Sequence, residues 1–153
     1  MTKKKNIINF VIFAYAVFLI TILFFGGRHA SNQSFDSYLH SNVNLIPFKT
    51  IEVYFNGYIN HRSYSSIAFV NLIANLLIFL PMGILLPIKK KMNIYQFIFI
   101  TLLILVGVET IQLLLKVGIF DIDDIILNFT GSFIGYILFR FYLTIKKYND
   151  GSV

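Results

Sequence analysis

The chain has 153 residues, 57% of them hydrophobic and only 13% charged, with a formal net charge of +6. A single soluble domain of this size has no interior able to hide so much apolar side chain, so lipid is the expected solvent. The absence of cysteine excludes disulfides and thiolate chemistry, and the basic residues cluster beside apolar runs, which suits topology signals rather than nucleic acid.

The first element is the apolar run Ile7–Phe25, preceded by Lys3, Lys4 and Lys5. It is longer than the usual core of a signal peptide, and Gly26-Gly27-Arg28-His29 makes a poor cleavage site, so an uncleaved helix is expected. Three further runs follow, Ile67–Ile88, Ile94–Leu115 and Ile125–Leu143. Each is near the roughly 20 residues a helix needs to cross a bilayer. None alternates with a period of two, so helices are expected rather than barrel strands. The reading is an all-α membrane protein: a bundle of four transmembrane helices forming one domain over residues 1–153, with a long outer loop over 26–66.

Orientation follows from Lys and Arg. The lysines before the first run, Lys89–Lys91, and Arg140, Lys146 and Lys147 share one side, while Arg28, Lys49, Arg62 and Lys116 fall on the other. The richer side is cytoplasmic by the positive-inside rule, which puts both termini inside a cell membrane. The abundance of Ile, Phe, Asn and Lys suits an AT-rich bacterial genome.

The loop has two parts. Ser31–Ser37 is polar and expected to be mobile. In Asn44–Phe55, Phe48, Ile51 and Phe55 recur at helical spacing beside Lys49 and Glu52. A short amphipathic helix at the outer interface and an ordinary loop with anchoring aromatics both suit this pattern.

Polar residues inside the apolar runs are the candidate site, because a buried polar group without a partner costs several kcal/mol in hydrocarbon, about 2–7 by transfer measurements. Asn71 and Asn75, four apart, share a face in the outer half of the second helix. Glu109 and Gln112 lie in the outer half of the third, with Lys116 continuing the stripe. Asn128 lies one turn inside the fourth. These side chains either line a ligand site or cross-link the helices. Asp121, Asp123 and Asp124 precede the fourth run. Carboxylates suit Ca²⁺ or Mg²⁺, but the run lacks an EF-hand's glycine and terminal Glu. Capping of the fourth helix, chiefly by Asp124, is the favoured reading, and no metal or cofactor is expected.

Gly131 and Gly135 form a GxxxG in the fourth helix, beside Ser132, suited to close approach by another helix or to self-association as a homo-oligomer. Pro81, with Gly83 beside it, is expected to kink the second helix. His29, His40 and His61 have no metal-ligand spacing. There is no GxSxG, Walker loop or HExxH, so no familiar enzyme chemistry is written here.

Four blocks then carry a resemblance: Asn44-Leu45-Ile46-Pro47-Phe48; Asn71 through Gly83, with Asn75 and Pro81-Met82-Gly83; Glu109-Thr110-Ile111-Gln112; and Asp121 through Gly131, a D-x-D-D-x-x-x-N-x-x-G pattern. In this order the chain resembles the VanZ-like family from about Arg28 to the end of the fourth helix. The resemblance implies a small membrane protein of the bacterial cell envelope, with antibiotic resistance to the glycopeptide teicoplanin rather than vancomycin as one role of the family. It implies no settled catalytic activity.

Three functions follow as expectations. In the first, Arg28, Asn44, Pro47, Asn71, Asn75, Glu109, Gln112, Lys116, Asp121, Asp124 and Asn128 form an outer-leaflet site. Its ligand is a membrane lipid, a lipid-linked wall precursor or a lipoglycopeptide. Teicoplanin carries an acyl chain and vancomycin does not, so a site at the lipid boundary could separate them. In the second, Glu109 or Asp124 is the base of an enzyme acting on an envelope lipid. In the third, Gly131 and Gly135 hold a scaffold subunit to a partner.

Overall fold

Inside hydrocarbon every backbone N–H and C=O must find a partner within the chain, which leaves apolar segments little choice but helix. The computed structural model describes residues 2–26, 30–59, 65–90 and 92–149. Arg28, His29, His61, Arg62 and Lys91 lie outside the described residues. Six helices appear among the described residues: α1 (Thr2–Ile20), α2 (Phe35–Ser41), α3 (Lys49–Ile59), α4 (Ser65–Lys89), α5 (Ile94–Leu114) and α6 (Ile122–Asn149). A wider π-helical turn, Thr21–Phe25, extends α1, and two short strands, β1 (Val43–Asn44) and β2 (Phe120–Asp121), pair in parallel.

Four of these helices are long and apolar enough to cross a membrane, over Lys5–Phe25, Phe69–Lys89, Ile94–Leu114 and Ile122–Asn149. This is an all-α, multi-pass membrane protein. The helices overrun the apolar runs at several ends, because basic and polar residues at the water boundary continue the backbone ladder. α6 starts at Ile122 rather than Ile125 and continues through Lys146 and Lys147 to Asn149. α4 runs unbroken through Pro81 and Pro87.

The loop over 26–66 departs most from expectation. The polar stretch expected to be mobile runs into α2, started by Ser34, whose hydroxyl oxygen accepts the Ser37 N–H at 3.4 Å. Tyr38 anchors that helix: it is buried, and its hydroxyl donates to the Gly118 carbonyl at 2.6 Å. The middle of the loop is helical, as one of the two readings had it. Its buried face, however, centres on Gly57, while Phe48 and Phe55 are exposed.

The chain divides into two compact units. One comprises residues 46–106 and 122–153 and contains α3, α4, the first part of α5, and α6. Here α4 and α6 are in backbone contact. A Cβ built on Gly131 would stand 1.9 Å from the Leu76 carbonyl oxygen, and one on Gly135 would stand 2.1 Å from that of Leu80. From the other side, a Cβ on Gly83 would stand 1.8 Å from the Ser132 carbonyl oxygen. The contact pairs ascend together, so the two helices run parallel. Ser132 adds a hydrogen bond across the seam to the Phe79 carbonyl at 3.2 Å. The GxxxG face is thus occupied by α4 of the same chain. Near the α4–α5 connection, Phe97 stacks on Tyr136 with ring centroids 4.3 Å apart, and Met92 completes that cluster. α5 opens with a reciprocal capping box: Gln96 N–H to Asn93 Oδ1 at 2.9 Å, and Asn93 N–H to Gln96 Oε1 at 3.2 Å.

The second unit comprises residues 1–45 and 107–121: α1, α2, the end of α5, and the β1–β2 pair. In that pair Val43 faces Phe120 and Asn44 faces Asp121.

The glycine contacts predict an asymmetry. Gly83→Ala should force α4 and α6 apart and lower stability by about 1–3 kcal/mol, the usual range for overpacking. Gly107→Ala meets nothing within 4 Å, so it should be neutral or slightly stabilising, as alanine favours helix. Thermal melting of the detergent-purified variants measures both.

Candidate functional site

The site begins with an acid doing something other than capping its own helix. Phe48 precedes α3 with φ +66°, a left-handed conformation that costs a non-glycine residue about 1–2 kcal/mol. It offers no side-chain cap, so the first turn of α3 has exposed N–H donors. Asp123, from the first turn of α6, takes them. Its Oδ1 accepts the Phe48 N–H at 2.5 Å, and its Oδ2 accepts those of Thr50 at 2.8 Å and Ile51 at 3.2 Å. Lys49 N–H goes to the Ile46 carbonyl, and Glu52 N–H starts the regular ladder on Phe48. The start of α3 is thereby fully satisfied. Asp123 is completely buried and stands where the dipoles of α3 and α6 both present their positive ends.

The same unit holds five more predicted residues, Pro47, Asn71, Asn75, Asp124 and Asn128. Asp124 Oδ1 accepts from Asn75 Nδ2 at 2.7 Å, joining α6 to α4. Asn128 is 4% exposed, and its Oδ1 has no hydrogen-bond partner among the described residues. Its backbone carbonyl accepts from the Ser132 hydroxyl at 2.9 Å. Asn71, one turn before Asn75, is exposed, so only one of the two asparagines is drawn into this contact. Pro47 is exposed in the turn leading to Phe48. Thr101, wholly buried on α5, also has a hydroxyl without a partner among the described residues.

In the other unit, α5 ends in a left-handed turn made without glycine. Lys116 has φ +57°, its N–H donates to the Leu113 carbonyl, and the next N–H, of Val117, donates to that of Gln112. That pair of bonds is the Schellman arrangement with a lysine in the usual glycine position. Lys116 then holds the segment after α1 twice: its carbonyl accepts the Ser31 N–H at 3.0 Å, and its Nζ donates to the Gln33 carbonyl at 2.7 Å. Gln112, 1% exposed, donates from Nε2 to the Leu23 carbonyl at 2.7 Å. This satisfies a carbonyl in the π-helical end of α1. Glu109 is buried on the same stripe of α5 as Phe97, Thr101 and Leu105, a spacing of four along one face. Asn44 Nδ2 donates to Asp121 Oδ1 at 3.0 Å beside the strand pair.

The three aspartates therefore serve three different partners: Asn44, the start of α3, and Asn75. Among the described residues, no three His, Asp or Glu side chains stand together to hold a metal ion. The reading of this acidic run as caps for its own helix missed where Asp123 is spent. Its partners lie 72 to 75 residues earlier in the chain, and no local spacing signals them.

A model of the family described as VanZ/LLP1 matches residues 10–144. The chain belongs to the VanZ/LLP1 family. No curated protein and no solved structure matches it. The VanZ/LLP1 match spans nearly the whole chain and includes all the polar residues described above.

The cap makes a testable claim. Asp123→Ala removes three hydrogen bonds to N–H groups, each costing about 1–3 kcal/mol when left buried and unpaired. The variant should melt earlier and gain a protease cut within Ile46–Ile59. Asp36→Ala, at an exposed position in α2, should do neither.

Proposed function

We propose that this VanZ/LLP1 protein acts in the bacterial cell membrane, with both termini cytoplasmic, as a binder of amphiphiles at the outer leaflet rather than as an enzyme. Its ligand has a polar head and an apolar chain: a lipid, a lipid-linked wall precursor or a lipidated glycopeptide such as teicoplanin. The observation that supports this reading is the burial of Glu109 and Gln112 in α5 and of Asp123 and Asn128 in α6, two helices apolar enough to cross a membrane, and of Asp121 in β2. A plain lipid anchor gains nothing from such residues and bears their desolvation. Most are bound to neighbours, but Asn128 keeps a buried acceptor without a partner among the described residues. The charge distribution supports the orientation: Lys89, Lys90, Lys146 and Lys147 all end helices whose opposite ends carry the polar residues.

The two rivals have less to stand on. Asp124, a candidate base, already accepts from Asn75. The GxxxG face, a candidate docking surface, is covered by α4.

The test is expression in a susceptible Gram-positive host, comparing teicoplanin with vancomycin. The wild-type chain should raise tolerance to teicoplanin alone, and Glu109→Ala and Asn128→Ala, at matched membrane levels, should lose it. Equal behaviour toward both drugs would contradict the lipid-boundary reading. Retention of full protection by both variants would remove the polar site from the function.

A further inference from the structure

The exposed side of α3 is divided into two edges of opposite character. Lys49, Glu52 and Asn56 recur at spacings of three and four and are all exposed, so they share one stripe of the helix. Phe55 and Ile59, four apart, make a second stripe with Tyr58 beside them, and these residues are 51%, 55% and 46% exposed. The side carrying Thr50, Tyr54 and Gly57 is the one turned into the protein. The apolar edge is not the one traced by Phe48, Ile51 and Phe55, because Ile51 is half-buried.

Two contacts set the depth of this helix. At its start, Asp123 from the first turn of α6 accepts the N–H groups of Thr50 and Ile51. At its end, Tyr58 stacks on Phe69 with ring centroids 4.6 Å apart. Phe69 and Ile122 open two of the membrane-spanning segments, and the helices that carry them, α4 and α6, run parallel. Both ends of α3, a helix about 16 Å long at 1.5 Å per residue, are therefore held within a turn of the level where two spans begin. The apolar edge is also continuous with a surface that lipid covers. From Phe69 it leads along α4 to Val70, Ile73 and Leu77, an exposed apolar stripe at spacings of three and four on a spanning helix.

We infer that α3 is seated in the interface of the loop-side leaflet, with Phe55, Tyr58 and Ile59 among the acyl chains and Lys49, Glu52 and Asn56 toward water. An apolar edge beside a charged one is the arrangement of helices that rest in the headgroup region. Tyr58 suits that boundary, since its ring is apolar and its tip polar. Lys49 and Glu52 offset one another in charge, so the seat asks no particular charge of the headgroups and a neutral bilayer serves. This goes beyond the amphiphile-binding reading and stands whether or not that reading does.

The chain contains no tryptophan, so a single introduced one reports its own surroundings. Full-length Phe55→Trp, Ile59→Trp and Glu52→Trp, with Ile73→Trp on α4 as the lipid-facing standard, are reconstituted in phosphatidylcholine vesicles and checked for unchanged helical circular dichroism. The quenchers are phosphatidylcholine brominated on its acyl chains and iodide present on both faces of the vesicles. Phe55→Trp and Ile59→Trp should lose most of their fluorescence to brominated lipid, as Ile73→Trp does, and little to iodide. Glu52→Trp should emit at longer wavelength and show the reverse pattern. Strong iodide quenching of Phe55→Trp and Ile59→Trp would overturn the inference by placing the apolar edge in water. Protection of both from either quencher would overturn it by showing a protein cover, such as a second copy of the chain. Lipid quenching of Glu52→Trp as strong as that of Phe55→Trp would contradict the division into a lipid edge and a water edge.

Discussion

The entry to α3 depends on one buried carboxylate. Asp123 belongs to the first turn of α6, yet both its oxygens accept N–H groups that open α3. Burial of an unaccompanied carboxylate would be prohibitive, but three donors and two helix N-termini surround this one. The bond network fixes where α3 begins and supports the left-handed Phe48. It also makes the entry to α3 depend on a residue that follows α4 and α5 in the chain. From there α3 packs along α4, where Tyr58 stacks on Phe69 with centroids 4.6 Å apart.

Deeper in the same unit a different force takes over. Lipid tails are as apolar as the side chains, so burial of hydrocarbon does little to bring helices together in a bilayer. Gly83, Gly131 and Gly135 compensate by letting α4 and α6 approach until backbone meets backbone. Dispersion then acts over a long seam, and Ser132 and the Asn75–Asp124 bond register it. Interhelical hydrogen bonds in membranes are worth only about 0.6–2 kcal/mol each, so they select the pairing more than they drive it. The other unit uses polar groups on its ends instead: Gln112 on α1, Lys116 on the segment after it, and Tyr38 on the turn before β2.

What the sequence revealed follows the range of each force. Hydropathy is a property of consecutive residues, so the four long helices were readable from it, and the ordered motif blocks carried the family. The ends of the helices were less legible, because Asp123, Asp124, Lys146, Lys147 and Asn149 are polar or charged yet helical. Short elements were missed where tertiary contacts hold them. α2 depends on buried Tyr38, and the β1–β2 pair joins segments far apart in the chain. Lys116 concealed a Schellman turn because no glycine announced it. Asn71 and Asn75 share a helical face by spacing, but one is exposed while the other reaches Asp124. Gly83 looked like a companion of Pro81, and only the partner helix reveals its use.

The most direct test of the central claim is amide hydrogen exchange of the wild-type protein at Phe48, Thr50 and Ile51. A turn and first helical residues with no remote cap would exchange nearly as fast as an open loop. The Asp123 account predicts protection at these three amides comparable to that of the interior of α3. Loop-like exchange at all three, with the rest of α3 protected, would show that α3 forms without the carboxylate and would contradict the account.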